Sequence, residues 1–384
     1  MRRVAIIGVG MSRFGELWER SFRDIVISAG TEAIEDANLE GREIEAMYVG
    51  NMSGGRFLAQ EHIAALIADY SGLASINIPS IRVEAGDASG GVALKEAYIA
   101  VASGIHDIVI AAGAEKVTDV GSAMEIMNSS IDQEWEAFHG ATLASLYAMM
   151  ARFHMHEYGS TEEDLAKISV KNHRNAVHNP KAQFRREISV EAVLSSPYVA
   201  EPLKVLDSAP ISDGASVIIL ASEDVARKYT DTPVFIDSIV QSSDYFALQN
   251  REDVLEMRSV RVATRKALKL ARCELRDIGV FEMHDSFTIT EMLLYENVGI
   301  AEKGKGHELV REGEVELGGR TPVNPSGGLK ACGHAVGATG IRQAAEIALQ
   351  LRGDAGKRQV DAERGMVVNV GGTGATAVVS VFRR

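Results

Sequence analysis

Residues 31–51 read TEAIEDANLEGREIEAMYVGN, and residues 265–285 read RKALKLARCELRDIGVFEMHD. Ala33, Ala37, Ile44 and Asn51 of the first stretch match Ala267, Ala271, Ile278 and Asp285 of the second at a constant offset of 234. In both, a helical pattern gives way to a short apolar run that ends on a polar residue. The order of elements downstream recurs as well. Gly86-Asp87-Ala88-Ser89-Gly90-Gly91 opens a long helical pattern in the first half, and GHAVGATGIRQAAEIALQL (333–351) opens one in the second. An apolar strand comes after each, at His106–Ala112 and at Met366–Val370. Two α/β segments in the same order predict an internal duplication. Strands alternating with helices predict a mostly parallel sheet covered on both faces.

The halves are expected at residues 1–222 and 233–384. Val4 to Val9 reads as a buried strand closed by a tight turn at Gly8 and Gly10. Arg13 stands where a dinucleotide fingerprint would need its third glycine, so the turn is the better account. A helix is expected over Ser21–Asn38. From about residue 114 to 205 the repeat is interrupted by short helical and loop segments, an inserted loop domain. It carries the basic group Lys171, His173, Arg174, His178, Lys181, Arg185 and Arg186.

The 384 residues hold 53 acidic and 40 basic side chains, a net charge of −13. With a pI near 5.3 the chain lacks the basic field that nucleic-acid binding needs. No apolar run reaches the ~18 residues of a membrane span. Cys273 and Cys332 are the only cysteines. Two cysteines exclude a disulfide framework and a thiolate zinc cluster, and fit a reducing compartment. MRRVAIIGVG is too short and too strand-like for a signal peptide. A cytoplasmic protein is expected.

Three places can carry chemistry. Asp87 sits at a helix start, where free N–H groups favour an anion; an ordinary capping aspartate is the competing reading. His284 lies just past an apolar strand in Met283-His284-Asp285-Ser286-Phe287, where parallel-sheet proteins bind ligands. His334 precedes a long helix in Gly333-His334-Ala335-Val336-Gly337. The histidine spacing offers no metal site. The run Asn369-Val370-Gly371-Gly372-Thr373-Gly374 reads either as a hairpin turn or as backbone aimed at a ligand.

Taken together, VEAGDASGG (83–91), PLKVLDSAPISDGAS (202–216), HDSF (284–287), GLKACGHAVGATG (328–340) and NVGGTGATAVV (369–379) resemble the thiolase superfamily, nearest to its archaeal and sterol-carrier-protein type members. SLYAMMARFHMHEYG and KNHRNAVHNPKAQF look like that family's loop domain over the CoA pocket. The resemblance implies a duplicated, five-layered αβαβα thiolase fold with mixed, mostly parallel sheets and the loop domain inserted. It implies a CoA thioester as substrate, no covalently bound cofactor, and a homodimer or a dimer of dimers. In the family a nucleophilic cysteine precedes the A-S-G-G run; Asp87 stands there. A second family cysteine corresponds to Asn369, and the HDCF cysteine of sterol-carrier types to Ser286. His284, His334 and Gly371 match the residues that bind the thioester oxygen and tune the nucleophile. Arg185, Arg186 and Lys181 are expected to meet the CoA phosphates, because an acidic chain needs local positive charge for that anion. Cys332 reads as a packed neutral thiol.

Three functions stay open. One is acetyl-CoA acetyltransferase-type chemistry, making or breaking a carbon–carbon bond beside a CoA thioester without the cysteine. A second is retro-aldol cleavage of a β-hydroxyacyl-CoA, assisted by a zinc-ribbon/OB-fold partner. The third is a catalytically silent acyl-CoA-binding or scaffold subunit paired with an active homologue or an acyl-CoA synthase.

Overall fold

Every residue of β1 (Val4–Met11) is buried, and its side chains divide between two cores. Ala5 and Ile7 face one, while Val4, Ile6 and Val9 face the other. The change of parity after Ile7 follows a bulge between Ile6 and Gly8. This two-sidedness recurs along the sheet and generates the layers. The computed structural model describes all residues, Met1 to Arg384.

After β1 the first half continues through α1 (Phe22–Asp36), β2 (Ala46–Gly50), α2 (Ile63–Tyr70), β3 (Ser80–Val83), α3 (Ser89–Ser103) and β4 (Ile108–Glu115). An excursion then carries α4 (Leu143–Tyr158), α5 (Glu162–Ala176), β5 (Tyr198–Ala200) and β6 (Leu203–Lys204) before the chain returns in β7 (Gly214–Ser222). The second half runs β8 (Val234–Ser243), α6 (Arg258–Ala271), β9 (Val280–Met283), α7 (Thr288–Val298), α8 (Thr339–Arg352), β10 (Arg364–Gly371) and β11 (Thr376–Arg383).

The nine-stranded sheet has the order β3-β2-β4-β7-β1-β8-β11-β10-β9. Read outward from the β1–β8 seam, the two sides repeat: β1, β7, β4, β2 on one, β8, β11, β10, β9 on the other. β3 has no full counterpart; the second half offers only the single parallel bridge of Phe281 with Val323. Pairing is parallel where a crossover helix intervenes, at β2/β3, β2/β4 and β9/β10. It is antiparallel where the chain returns, as at β4/β7 and β10/β11. The parallel strands are the ones that end at the candidate site.

Helices α1 and α2 cover one outer face, with Ala29, Ala33, Ile63 and Ile67 in its core. α6 and α7 cover the other, with Val260, Ala263, Ala267 and Leu293. Between them lie α3 and α8, whose Ala93, Ala97, Ile341 and Ala345 share one core with both sides of the sheet. That is the expected five-layered thiolase fold. No helix is long and apolar enough to cross a membrane.

Two sequence readings need correction. Gly8 and Gly10 are not a turn, since β1 runs straight through them. They are small because α1 lies against them: a Cβ on Gly8 would sit 2.5 Å from the Ala33 carbonyl oxygen, and one on Gly10 2.1 Å from that of Ala29. The excursion is not made only of short helices. α4 has 16 residues and α5 has 15, each opened by a capping box, at Thr142 with Ser145 and at Thr161 with Asp164. The helix expected from Ser21 begins one residue later, with Ser21 as its cap.

Close approach predicts opposite effects of the same mutation. Gly10→Ala should lower unfolding free energy by about 1–3 kcal/mol through overpacking. Gly30→Ala, in α1 with nothing within 4 Å of the new Cβ, should raise it by about 0.5–1 kcal/mol. Urea midpoints at unchanged m-value measure both.

Candidate active site

Asp87 follows β3 and lies in the turn before α3; His334 lies in the loop that leads to α8. Their side chains meet, with Asp87 Oδ1 3.1 Å from His334 Nε2. The other carboxylate oxygen accepts the Gly372 N–H at 3.0 Å from the β10–β11 turn. On its far side His334 pairs through Nδ1 with Thr339 Oγ1 at 2.8 Å. Both Asp87 and His334 are buried, at 2% and 6% exposure. Burial pushes the Asp87 carboxyl up, but the hydrogen bond and charge of His334 and the Gly372 N–H outweigh it, so its pKa is lowered. Asp87 therefore carries its charge at neutral pH.

Asn369, at the end of β10, orders the rest. Its Oδ1 accepts the Gly91 N–H at 3.1 Å, and its Nδ2 donates to the Asp87 carbonyl oxygen at 3.1 Å. These contacts fix which end of the amide is which. The same Nδ2 faces His284 Nδ1 at 3.2 Å. His284 Nδ1 must then be the acceptor, which leaves the proton on Nε2. Burial, with the charge of His334, pushes His284 down to about 3. It is a neutral donor, held perpendicular to the His334 ring at 5.3 Å between centroids.

Asp87, His284 and His334 bring three ligand-type atoms within 4.8 Å of one another. The tautomer decides their use. A cation needs a lone pair from each histidine, whereas His284 presents an N–H. That suits a developing oxyanion.

Asp285 is the hinge between two motifs. Its carboxylate accepts the Leu329 and Lys330 N–H groups at 2.6 and 3.1 Å and Asn172 Nδ2 at 2.8 Å. HDSF is thereby tied to the loop that carries His334. Burial pushes Asp285 up to about 7, with Glu291 adding repulsion. Ser286 lines an apolar cavity of about 290 Å³ together with His334, Phe287, Phe184, Met124 and Lys330. A second, more polar cavity of about 440 Å³ is lined by Glu84, Gly86, Ser130, Gly371 and Gly372. Asp87, bonded to His334 on one side and Gly372 on the other, joins the two.

Of the residues named from sequence, Asp87, His284, His334 and Asn369 form one hydrogen-bonded cluster. Ser286 and Gly371 line the cavities beside it. The N–H that reaches Asp87 belongs to Gly372, one residue beyond Gly371. The basic group does not act as a unit. Lys171 is buried on Glu291 at 2.7 Å, and Arg174 pairs with Glu316 at 3.2 Å. Lys181 bonds Glu32 and the Met11 carbonyl, both at 2.6 Å, so it is committed to the fold. Arg185 and Arg186 stay exposed, directly after the cavity residue Phe184. Cys332 is buried among Ala176, Ala182 and Ala331, and burial pushes its thiol up to about 11. Nothing in the sequence marks Tyr147. Its hydroxyl donates to the Gly372 carbonyl at 2.8 Å, and burial with the Asp87 charge raises its pKa.

Comparison with known proteins bears on this arrangement. The family model described as thiolase, N-terminal domain, matches residues 4–224, and that described as thiolase C-terminal domain-like matches residues 240–384. The chain belongs to the thiolase family. An acetyl-CoA acetyltransferase of Methanothermobacter thermautotrophicus is 55% identical, over 100% of both chains. Sterol carrier protein 2 of Gallus gallus is 33% identical, over 99% of this chain and 72% of that one. A solved Ltp2-ChsH2(DUF35) aldolase has a TM-score of 0.85 at 26% identity, covering 98% of this chain and 97% of that one.

The His284 tautomer in this thiolase cluster is directly measurable. Nitrogen NMR should find His284 protonated on Nε2 only, with no titration between about pH 5 and 8. Its folded pKa lies below the unfolded value of about 6.5, so the unfolded chain takes the proton first as pH falls. Its contribution to stability is therefore full above about 6.5 and is lost as pH falls towards 3. Asn369→Ala should let the ring adopt either tautomer.

Proposed function

We propose that this chain is an acyl-CoA enzyme of the acetyl-CoA acetyltransferase type that works through the enolate of a CoA thioester and forms no acyl-enzyme. The observation that carries the reading is the ionised Asp87 bonded to His334, with the His284 Nε2–H free beside it. A carboxylate is a poor nucleophile towards a thioester, because the mixed anhydride it would form lies above an acyl-cysteine in energy. As a base it is well suited. In the condensation direction the Asp87–His334 pair takes a proton from Cα of one acyl-CoA, and the electron pair moves onto the thioester oxygen. His284 stabilises that oxyanion. The enolate carbon attacks the carbonyl of a second acyl-CoA; the carbon–sulfur bond breaks, and the departing thiolate recovers the proton held by the pair. The 55% identity to an acetyl-CoA acetyltransferase supports the substrate class.

A second reading has its own support in the likeness to the Ltp2-ChsH2(DUF35) aldolase. Retro-aldol cleavage of a β-hydroxyacyl-CoA needs the same oxyanion donor, with Asp87 removing the hydroxyl proton and a DUF35-type partner at the acyl-CoA site. On either reading Arg185 and Arg186 meet the CoA phosphates, since no carboxylate engages them. A homodimer is consistent with an open sheet edge at β3, where Ile81 is 49% exposed.

Mass spectrometry after incubation with acetyl-CoA should find no acyl adduct on the wild type and one on Asp87→Cys. The new thiol would sit at a helix N-terminus beside His334, where thiolate is favoured. Asp87→Asn should lose about 10²–10⁴-fold in turnover; undiminished turnover, or a wild-type adduct on Cys332, overturns the mechanism. Release of carbonyl product from β-hydroxyacyl-CoA without transfer to CoA would select the aldolase reading.

The phosphate assignment is tested separately. Charge reversal at Arg185 and Arg186 should weaken CoA binding steeply at low ionic strength and less at high. Equal affinity of mutant and wild type at both would remove these residues from the CoA site.

A further inference from the structure

Four lysines are buried in this fold: Lys116, Lys171, Lys204 and Lys330. Lys116 reaches Asp119 at 2.8 Å and Asp213 at 3.2 Å. Lys171 has Glu291 and the Val323 carbonyl, and Lys204 has Glu162. Each buried charge is paired, as burial requires.

Lys330 is the exception. It is 2% exposed, and its ammonium makes no hydrogen bond and no ion pair in the protein. The ammonium stands over the Phe184 ring, 5.9 Å from its centroid. Asp285 and Asp207 act on it through their charge without bonding to it, and their oxygens accept from other groups. Asp285 takes the Leu329 and Lys330 N–H groups and Asn172; Asp207 takes the Lys204 N–H and Thr288 Oγ1. Burial pushes Lys330 down to about 8, and those two carboxylates oppose the shift.

The side chain lines the apolar cavity beside His334. Ser208, Ser286 and His334 are the only other polar side chains in that lining. Ser208 is spent on the Lys204 carbonyl and His334 on Asp87. An unpaired ammonium in the lining of an apolar cavity that His334 also lines is a recognition element waiting for an anion.

We propose that Lys330 is a specificity-determining residue that receives a carboxylate carried on the acyl group, so that the preferred substrate is the CoA monothioester of a dicarboxylic acid. Apolar walls such as Met124, Met127 and Leu143 take the methylenes between thioester and carboxylate. The inference rests on the acyl-CoA reading above and narrows it.

Direct binding measurements separate the two. Glutaryl-CoA and valeryl-CoA have the same chain length and differ at the terminal group. The wild type should bind glutaryl-CoA about 10- to 100-fold more tightly, the range of a hydrogen bond to a buried charge. Lys330→Met should lose that preference and keep its affinity for valeryl-CoA. Equal wild-type affinities overturn the inference, and this comparison needs no folded mutant. Equal weakening of both ligands by Lys330→Met also overturns it, since the ammonium would then serve the CoA arm common to both. If neither thioester nor CoA itself binds, the acyl-CoA reading fails, and the specificity inference fails with it.

Discussion

Two helices begin against each other at a point where neither has a side chain. α3 and α8 form the middle layer, and their first turns approach backbone to backbone at Gly90 and Gly340. A Cβ on Gly90 would lie 2.7 Å from the Gly337 carbonyl oxygen; one on Gly340 would lie 2.2 Å from the Gly91 nitrogen. Any larger residue would push the two halves apart at this point. Asp87 lies three residues before Gly90 and His334 six before Gly340, so the same approach closes their 3.1 Å contact. It also brings two helix N-termini to one place. Their free N–H groups favour negative charge, and Asp87 sits there.

A contact this close needs its loops held from behind. Glu115, at the end of β4, accepts N–H groups from Met52 and Gly337 at 2.8 and 3.1 Å and the Asn51 side chain at 2.8 Å. One carboxylate thus ties the loop after β2 to the loop before α8. Asp285 does the equivalent work in the second half, on Leu329 and Lys330. Asn51 and Asp285 are the last matched pair of the sequence repeat. The duplication therefore has a physical content: a polar residue follows the corresponding strand in each half, Asp285 stapling the Leu329–Lys330 loop directly and Asn51 acting through Glu115. Burial raises Glu115 and Asp285 alike to about 7, the cost of placing carboxylates where backbone N–H groups need acceptors.

That content explains why some features are legible in one dimension and others are not. Strand alternation and the constant offset are local and periodic, so the duplicated α/β order was legible from residues alone. Asp87, His284, His334 and Asn369 were legible as candidates because each lies at a strand end or a helix start. Tertiary proximity was not legible. Gly8 and Gly10 look like a turn in the sequence, and only α1 packed across them explains their size. Lys181 looks like a phosphate ligand until Glu32, far away in sequence, is found beside it. Lys330 gives no signal, because its lack of a partner is a property of the folded cavity. Which N–H of the glycine turn meets the Asp87 carboxylate, here that of Gly372, is of the same kind. No composition rule fixes which N–H of such a turn points inward.

The electrostatics of the cluster also limit what it can do. A nucleophile for acyl transfer must exchange its proton for a carbon bond and later release the acyl group. Asp87 begins without a proton, holds two donors on its oxygens, and would yield an anhydride. Those donors lower its basicity in the resting state, and the same two stabilise the charge whenever it returns. A proton that arrives on the pair can be shared over the 3.1 Å link to His334, so neither residue bears the whole change. His284 is kept neutral by burial and by Asn369, so it can donate to an oxyanion without competing for that proton. On the proposed mechanism, acid–base work and oxyanion work thus fall to different groups, held apart by hydrogen bonds already present. On the reading proposed above, that division is what lets a buried carboxylate and a neutral imidazole serve one enolate together.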